Sequence, residues 1–418
     1  MGKKNHEFSR LEYTIAKLFS KFPYFKQYLK RLYRLVLVVL YFNSTKRLET
    51  SYKLHEVHPE GETFFGYYDH SPLNISGDYC AFHQSHFDTS KKQFNKPINI
   101  MIKNIKTNQS SKVTDAYAFN WQQGCRLQWL NESQIIFNNL DINTQKVFAQ
   151  IYDVKTKKLN HLDVAIYEST EKFSLTLSFE RLNKFAPDYG YINLQKNKVR
   201  NLSDDGIFYL EHKTNTCKLL WSLNTISSHI NKKLLTNPNQ HVNHIMLSPD
   251  HQRCIFLHRV LVDGKITHTL LLGDINQLDV KILISGMASH CQWIDNEQII
   301  GYLNVENDIG YFIINVNTNT IKKTNNKTMH TFGDGHPTVN GNRMVFDTYP
   351  NRKQLKSLMT YHFDTNTMHK IAELYEPLKF YGYSRCDLHP RMVNNGKQVW
   401  IDSTHTGKRQ LYYLDFPD

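Results

Sequence analysis

This 418-residue sequence predicts an all-β fold, a seven-bladed β-propeller preceded by an N-terminal basic amphipathic helix, on three observations. From about residue 62 onward, short apolar runs rich in Tyr, Phe, Ile and Val alternate with Gly, Asn, Asp and Pro turns, the pattern of strands and hairpins. A unit built round one histidine recurs about every fifty residues. The first fifty residues follow neither pattern and carry a helical, cationic stripe instead.

The repeat comes from four aligned segments, Asn243–Asp250, Ser289–Asn296, Gly335–Asn342 and Leu388–Gly396. Their histidines, His244, His290, His336 and His389, are 46, 46 and 53 residues apart, and each segment runs into a strand-like stretch. A period near fifty with about four strands marks a propeller blade. The same unit recurs at Asp69–Asp78 and, in weaker form, at Gln123–Glu132; a blade from Tyr167 to about Leu223, with an insertion around Pro187–Tyr191, completes seven. The phrases starting at Ile151, Tyr209, Phe312 and Tyr361 place Asn, Asp and Thr in hairpin turns, which assigns them to third and fourth strands. The chain therefore divides into a helical segment, 1–50, and a propeller, 62–418.

In the first segment Leu11, Ile15, Leu18, Phe22, Phe25, Leu29, Leu32 and Val36 recur mostly three or four apart, with Lys17, Lys21, Lys26, Lys30, Arg31 and Arg34 between them and a kink expected at Pro23. The apolar run Leu35–Phe42 is eight residues long, whereas spanning a bilayer takes about 20. It comes late and lacks a small-residue cleavage site, so it does not read as a signal peptide. An interfacial helix on an anionic membrane surface is the expectation, with a helix packed on the propeller or a partner as the alternative. Residues 1–50 hold 11 Lys/Arg against 3 Asp/Glu, a surplus of 8 within the total of +13. The propeller is thus nearly balanced and lacks the basic stripe that nucleic acid requires. The six cysteines are scattered, which suits reduced, mostly buried strand residues in a reducing compartment. Together these features imply a cytoplasmic protein attached peripherally to the inner face of the cell membrane.

A residue at one fixed position of every innermost strand arrives at one level of a propeller's central channel. His70, His244, His290, His336 and His389, with Gln122 or Gln123 from the second blade, are therefore expected to form a collar, with Tyr67, Tyr68, Asp69, His241, Asp334, Arg385 and Asp387 nearby. Histidines at this position can serve as turn caps. Clustered with carboxylates they also suit a divalent metal, Mn or Zn, on His244, His290, His336 and His389, or acid/base work. HExxH, CxxC, Walker and GxSxG motifs are absent from the sequence.

The phrases Phe65–Asp69, Gln122–Leu130, Leu175–Leu182, Asp334–Pro337, Asp347–Pro350 and Arg385–Arg391 resemble a family of bacterial propeller proteins found with surface-polysaccharide (capsule) biosynthesis genes. More distantly, Ser248–Asp250 and Leu257–Arg259 look like TolB-type propellers and oligogalacturonate lyases, which use a metal held by His and Gln; the tight Gln and two-His cluster of those lyases is not found here. The resemblance implies a glycan, sugar-nucleotide or lipid-linked saccharide as ligand and polysaccharide-synthesis proteins as partners. Two functions follow. One is an enzyme of sugar transfer or lyase type, with His244, His336, His389, Tyr68 and Arg385 catalytic and Tyr67, Asp69, Gln122, Gln123, Arg126, Asp334, Asp387 and Arg391 holding substrate. In β-elimination an arginine would take the uronate carboxylate, a histidine the C5 proton, and a tyrosine would protonate the leaving oxygen. The other is a non-catalytic propeller that binds glycan or organises the enzymes making it.

Overall fold

The computed structural model describes residues 34–37, 40–41, 47–195 and 199–416. The chain forms a seven-bladed propeller, and the blades follow chain order. Their sheets, from innermost to outermost strand, cover Glu62–Ala116, Gln128–Leu162, Glu168–Ser222, Gln240–Ser285, Ala288–Lys323 and Thr338–Tyr375, with the seventh at Arg391–Asp415.

The blade hairpins show why Asn, Asp and Thr recur in their turns. Asp141, Asp153 and Asn315 each accept backbone N–H bonds from the residues two and three further on, closing the turn with a side chain. The next turn residues, Gln145, Lys157 and Asn319, take left-handed backbone (φ 57–58°), completing each reversal.

Ring closure uses the start of the chain. Leu54–Glu56 pairs with Gln410–Asp415 as the outermost strand of blade 7, and Leu48–Thr50 adds a fifth strand to blade 6 through Leu48↔Leu374. Both strands precede residue 62, so the sheets reach further toward the N-terminus than the repeat does. Of the expected helix over the first fifty residues, Arg34–Leu37 and Leu40–Tyr41 are helical and Leu48–Thr50 is a strand instead; residues 1–33, 38–39 and 42–46 lie outside the described residues.

The innermost strands all run in one direction, which gives the disc an upper and a lower face. The upper face carries the entries to the innermost strands and the loops between second and third strands. The longest of these loops, in blade 3, is the insertion containing helix Phe179–Phe185, capped by Ser178 Oγ accepting from Arg181 N (3.1 Å). Arg181 is buried and anchors the insertion through Asp205 (2.6 Å) and the carbonyls of Arg200 and Gln240. The core lies between blades; Trp221 of blade 3 packs so closely on Gly273 of blade 4 that a Cβ there would sit 2.5 Å from the ring. Five cysteines are buried, Cys217 is exposed, and all six are free thiols.

Candidate functional site at the upper mouth

Four innermost strands break their ladder at one matched point. Arg126, His244, His290 and His389 all have φ between 40° and 54° there, and the register slips between Asn243 and Met246 and between Ser289 and Gln292. Bulky residues pay for left-handed backbone, and a bulge re-aims the side chain it carries. His336 arrives by another route. It follows Gly335, where a Cβ would lie 1.9 Å from the Asp347 carbonyl oxygen, so only glycine allows the approach. Asp347 then accepts from His336 N (2.7 Å), from His336 Nδ1 (2.9 Å) and from His389 N (3.1 Å).

The first blade supplies a plug. Its innermost strand pairs Phe64↔His83 and then Leu73↔Cys80, so residues 65–72 bulge out opposite only Ala81 and Phe82 of the partner strand. Tyr67 and Tyr68 sit on that excursion, against all four collar histidines: Tyr67 stacks on His244 (5.3 Å) and meets His389 (5.0 Å), while Tyr68 lies 5.3 Å from His336 and 6.2 Å from His290. The His290 and His336 rings are 3.9 Å apart, and those of His336 and His389 are 4.3 Å apart.

The structure thus joins His244, His290, His336, His389, Tyr67, Tyr68, Asp334, Arg385 and Asp387 in one cluster, buried except for the half-buried His244, Asp334 and Arg385. Within it the ligand atoms of His336, Asp387 and His389 lie within 4.8 Å of one another. Burial opposes ionisation of Asp387, but Arg385, His336, His389 and Lys356 outweigh it and hold the carboxyl well below the usual range. Burial and the neighbouring His336 push His389 well below 6.5, which keeps it neutral. Burial also works against His336, yet Asp347 raises it above its ordinary value. His389 Nε2 and the Tyr67 hydroxyl are buried without a hydrogen-bond partner. Burial and Tyr68 raise Tyr67 well above 10, so its proton stays on. His290 Nδ1 bonds Asp334 (2.9 Å), while burial, partly offset by that carboxylate, lowers its pKa. His244, between Tyr67 and Tyr189, is lowered by burial and then by Arg259.

The remaining predicted residues do other work. Tyr68 donates to the Cys291 carbonyl (2.8 Å), Gln122 to that of Arg385, and Gln123 to the Tyr167 hydroxyl. Arg391 bonds the Tyr67 and Gly66 carbonyls and Asp402, holding the plug in place. His241 stacks on Phe185, away from the collar. Asp69, His70 and Arg126 form a second network toward the lower mouth with Glu168: Arg126 meets Asp69 (2.8 Å) and Glu168 (3.3 Å), and His70 Nε2 meets Glu168 (3.1 Å).

Sequence reasoning missed Asp347 and the strap over the mouth. Asp188 of the blade 3 insertion bonds Arg385 Nη1 (2.9 Å), whose Nε reaches Asp387 (3.0 Å); Tyr189 covers His244 (4.9 Å). The signals were present in the phrases Asp347–Pro350 and Pro187–Tyr191, without anything to tie either to the collar.

The donor set tests well against a divalent metal. Two imidazoles and a carboxylate suit Mn²⁺ or Zn²⁺, one imidazole is oriented by a carboxylate on its far nitrogen, and the orphaned His389 Nε2 faces the same space. No protein-family model and no curated protein matches the sequence. Among solved structures, the chain is similar to an oligogalacturonate lyase in complex with manganese, at 14% identity and TM-score 0.62, over 88% of this chain and 94% of that one. It is also similar to oligogalacturonate lyase from Vibrio parahaemolyticus (13%, TM-score 0.56, 89% and 97%) and more loosely to TolB from Acinetobacter baumannii (12%, TM-score 0.39, 81% of each). At these identities the likeness is one of fold.

Proposed function

We propose that the upper mouth cleaves an acidic saccharide by lyase-type β-elimination, within the modification of a surface polysaccharide. The observation that carries this is the His336–Asp387–His389 triad packed against Tyr67, whose hydroxyl has no partner, and against His290, which is backed by Asp334. A divalent cation such as Mn²⁺, held by His336, Asp387 and His389, would supply Lewis acidity toward the substrate carboxylate.

The chain's own residues supply the proton transfers. His290, neutral and bonded to Asp334 through Nδ1, has Nε2 to accept the C5 proton, and Asp334 stabilises the imidazolium that forms. The electron pair from that C–H bond becomes the C4–C5 double bond as the bond to the leaving oxygen breaks. Tyr67, held protonated, can donate to that oxygen. Arg385, at the rim, can exchange Asp188 for a substrate carboxylate while keeping its bond to Asp387. The likeness to lyase structures and the resemblance to polysaccharide-locus propellers support this reading.

The test is ultraviolet absorbance of the 4,5-unsaturated uronate after incubation with uronate-containing oligosaccharides and Mn²⁺ or Zn²⁺. Product from the native protein and at least about a hundredfold less from His290→Gln is expected. Absence of product across such a panel, from folded protein with metal bound, would overturn the proposal.

A further inference from the structure

The few described residues of the tail show which face of the propeller it joins. Arg34 donates through Nε to Gln354 Oε1 (2.9 Å), lies 3.6 Å from Glu376 and stacks over the Tyr381 ring (4.9 Å). Gln354 closes the second-to-third strand loop of blade 6, and Glu376 and Tyr381 lie on the connection into blade 7, so all three belong to the upper face. The same connection continues to Arg385, Asp387 and His389. Contact between tail and site is nearly direct: Glu376 pairs with buried Lys356 (2.8 Å), and Lys356 donates to the Cys386 carbonyl, next to Asp387.

Around this junction large apolar side chains face solvent. Leu35, Val36 and Leu40 (70% exposed) lie on the tail, and Tyr349 and Tyr381 rim the mouth. Phe94, 61% exposed, extends the patch along a blade 1 loop that touches the same connection through Tyr383 and Ser90. The sequence leading into Arg34 is strongly cationic, with 8 Lys/Arg against 2 Asp/Glu in residues 1–33. Exposed apolar groups bordered by cationic sequence complement one surface, anionic headgroups above acyl chains. No described helix is long and apolar enough to cross a membrane, which fits attachment by one face.

We propose that the upper face rests on an anionic lipid bilayer, so that the His336–Asp387–His389 mouth opens toward the membrane and takes saccharide held there. This rests on the lyase reading only in treating the upper mouth as the site. A tether on the opposite face would leave the mouth open to bulk solvent; here anchor and mouth share a rim.

The test uses the full chain in a Cys217→Ser background, which removes the exposed thiol. Single nitroxide labels are placed at Phe94→Cys on the upper face or at Ile75→Cys, an equally apolar and 81% exposed site on the lower face. Labelled protein is mixed with vesicles of phosphatidylglycerol or of phosphatidylcholine. Expected results are at least tenfold stronger sedimentation with phosphatidylglycerol, lost in Lys30→Glu/Arg31→Glu, and relaxation by lipid-dissolved oxygen at Phe94→Cys but not at Ile75→Cys. Failure to bind either vesicle would overturn the proposal, as would binding that leaves both labels aqueous or puts Ile75→Cys in lipid. Activity on soluble oligosaccharide is a separate readout, so a protein that docks this way without cleaving them counts against the lyase reading alone.

Discussion

Toward the lower mouth, Arg126 lies buried between Asp69 and Glu168, with His70 closing the group; toward the upper mouth, His336, Asp387 and His389 meet while Arg385 is turned to the rim and the strap. Both regions gather histidine and carboxylate, and both draw on the same matched position of the innermost strands. The lower one carries its own cation. Its guanidinium is shared by two carboxylates, and the one buried carboxylate oxygen left without a hydrogen bond, Asp69 Oδ1, lies 3.9 Å from His70 Nε2. The upper one leaves a neutral imidazole nitrogen and a tyrosine hydroxyl without partners, and these are the groups that a ligand can engage. Placing Arg or His at one bulge position thus separates a structural buttress from a candidate reaction site.

The largest effects should fall at the upper end. His290→Gln is expected to lower the elimination rate by about 10²–10⁴-fold while the melting temperature hardly moves, measured as turnover beside calorimetry. An equal rate in the variant would move the base elsewhere. Removing the lower cation should do the reverse: Arg126→Leu leaves Asp69 and Glu168 buried without compensation and is expected to cost about 3–5 kcal/mol in denaturant unfolding. Unchanged stability would show that the network is not a buttress.

Acid should weaken the walls between the two ends. His83, stacked on Phe64 (4.7 Å) and accepting from Cys125 N (3.2 Å), is depressed to about 3 by burial, and His241 likewise. Below the unfolded value of 6.5 the unfolded chain binds the proton and the folded one does not. Stability is therefore complete above that pH and falls from 6.5 down toward 3, by about 2 kcal/mol at pH 5 for each such histidine. Urea titrations at pH 7 and pH 5 measure it, and His83→Leu should flatten the slope. The smallest effect is expected from the strap: Asp188 is half exposed, so Asp188→Asn should change stability by about 0–1 kcal/mol, with its main signature in KM.

The repeat made much of this readable in advance. His244, His290, His336 and His389 converge because period and channel geometry permit little else, and the outer hairpins announce themselves by Asp153 and Asn315. His70 looked equivalent and is not: the extra residues between Phe64 and Leu73 carry it past the collar and put Tyr67 and Tyr68 in the centre. Asp347 stands at the end of a second strand, and its bonds to two histidines from two blades have no signature in sequence spacing. Leu48–Thr50 and Leu54–Glu56 are too short for any periodicity; only the unpaired edges of blades 6 and 7 call for them.

The shared seventh blade sets a condition on how the protein matures. Asp387 and His389 enter a sheet whose outer strand, Leu54–Glu56, is synthesised about 350 residues before its third strand, Gln410–Asp415. A nascent chain can stack its earlier blades as they emerge, but the ring has no seal until that strand leaves the ribosome. A product truncated before Gln410 should therefore lack a working site however many blades it contains.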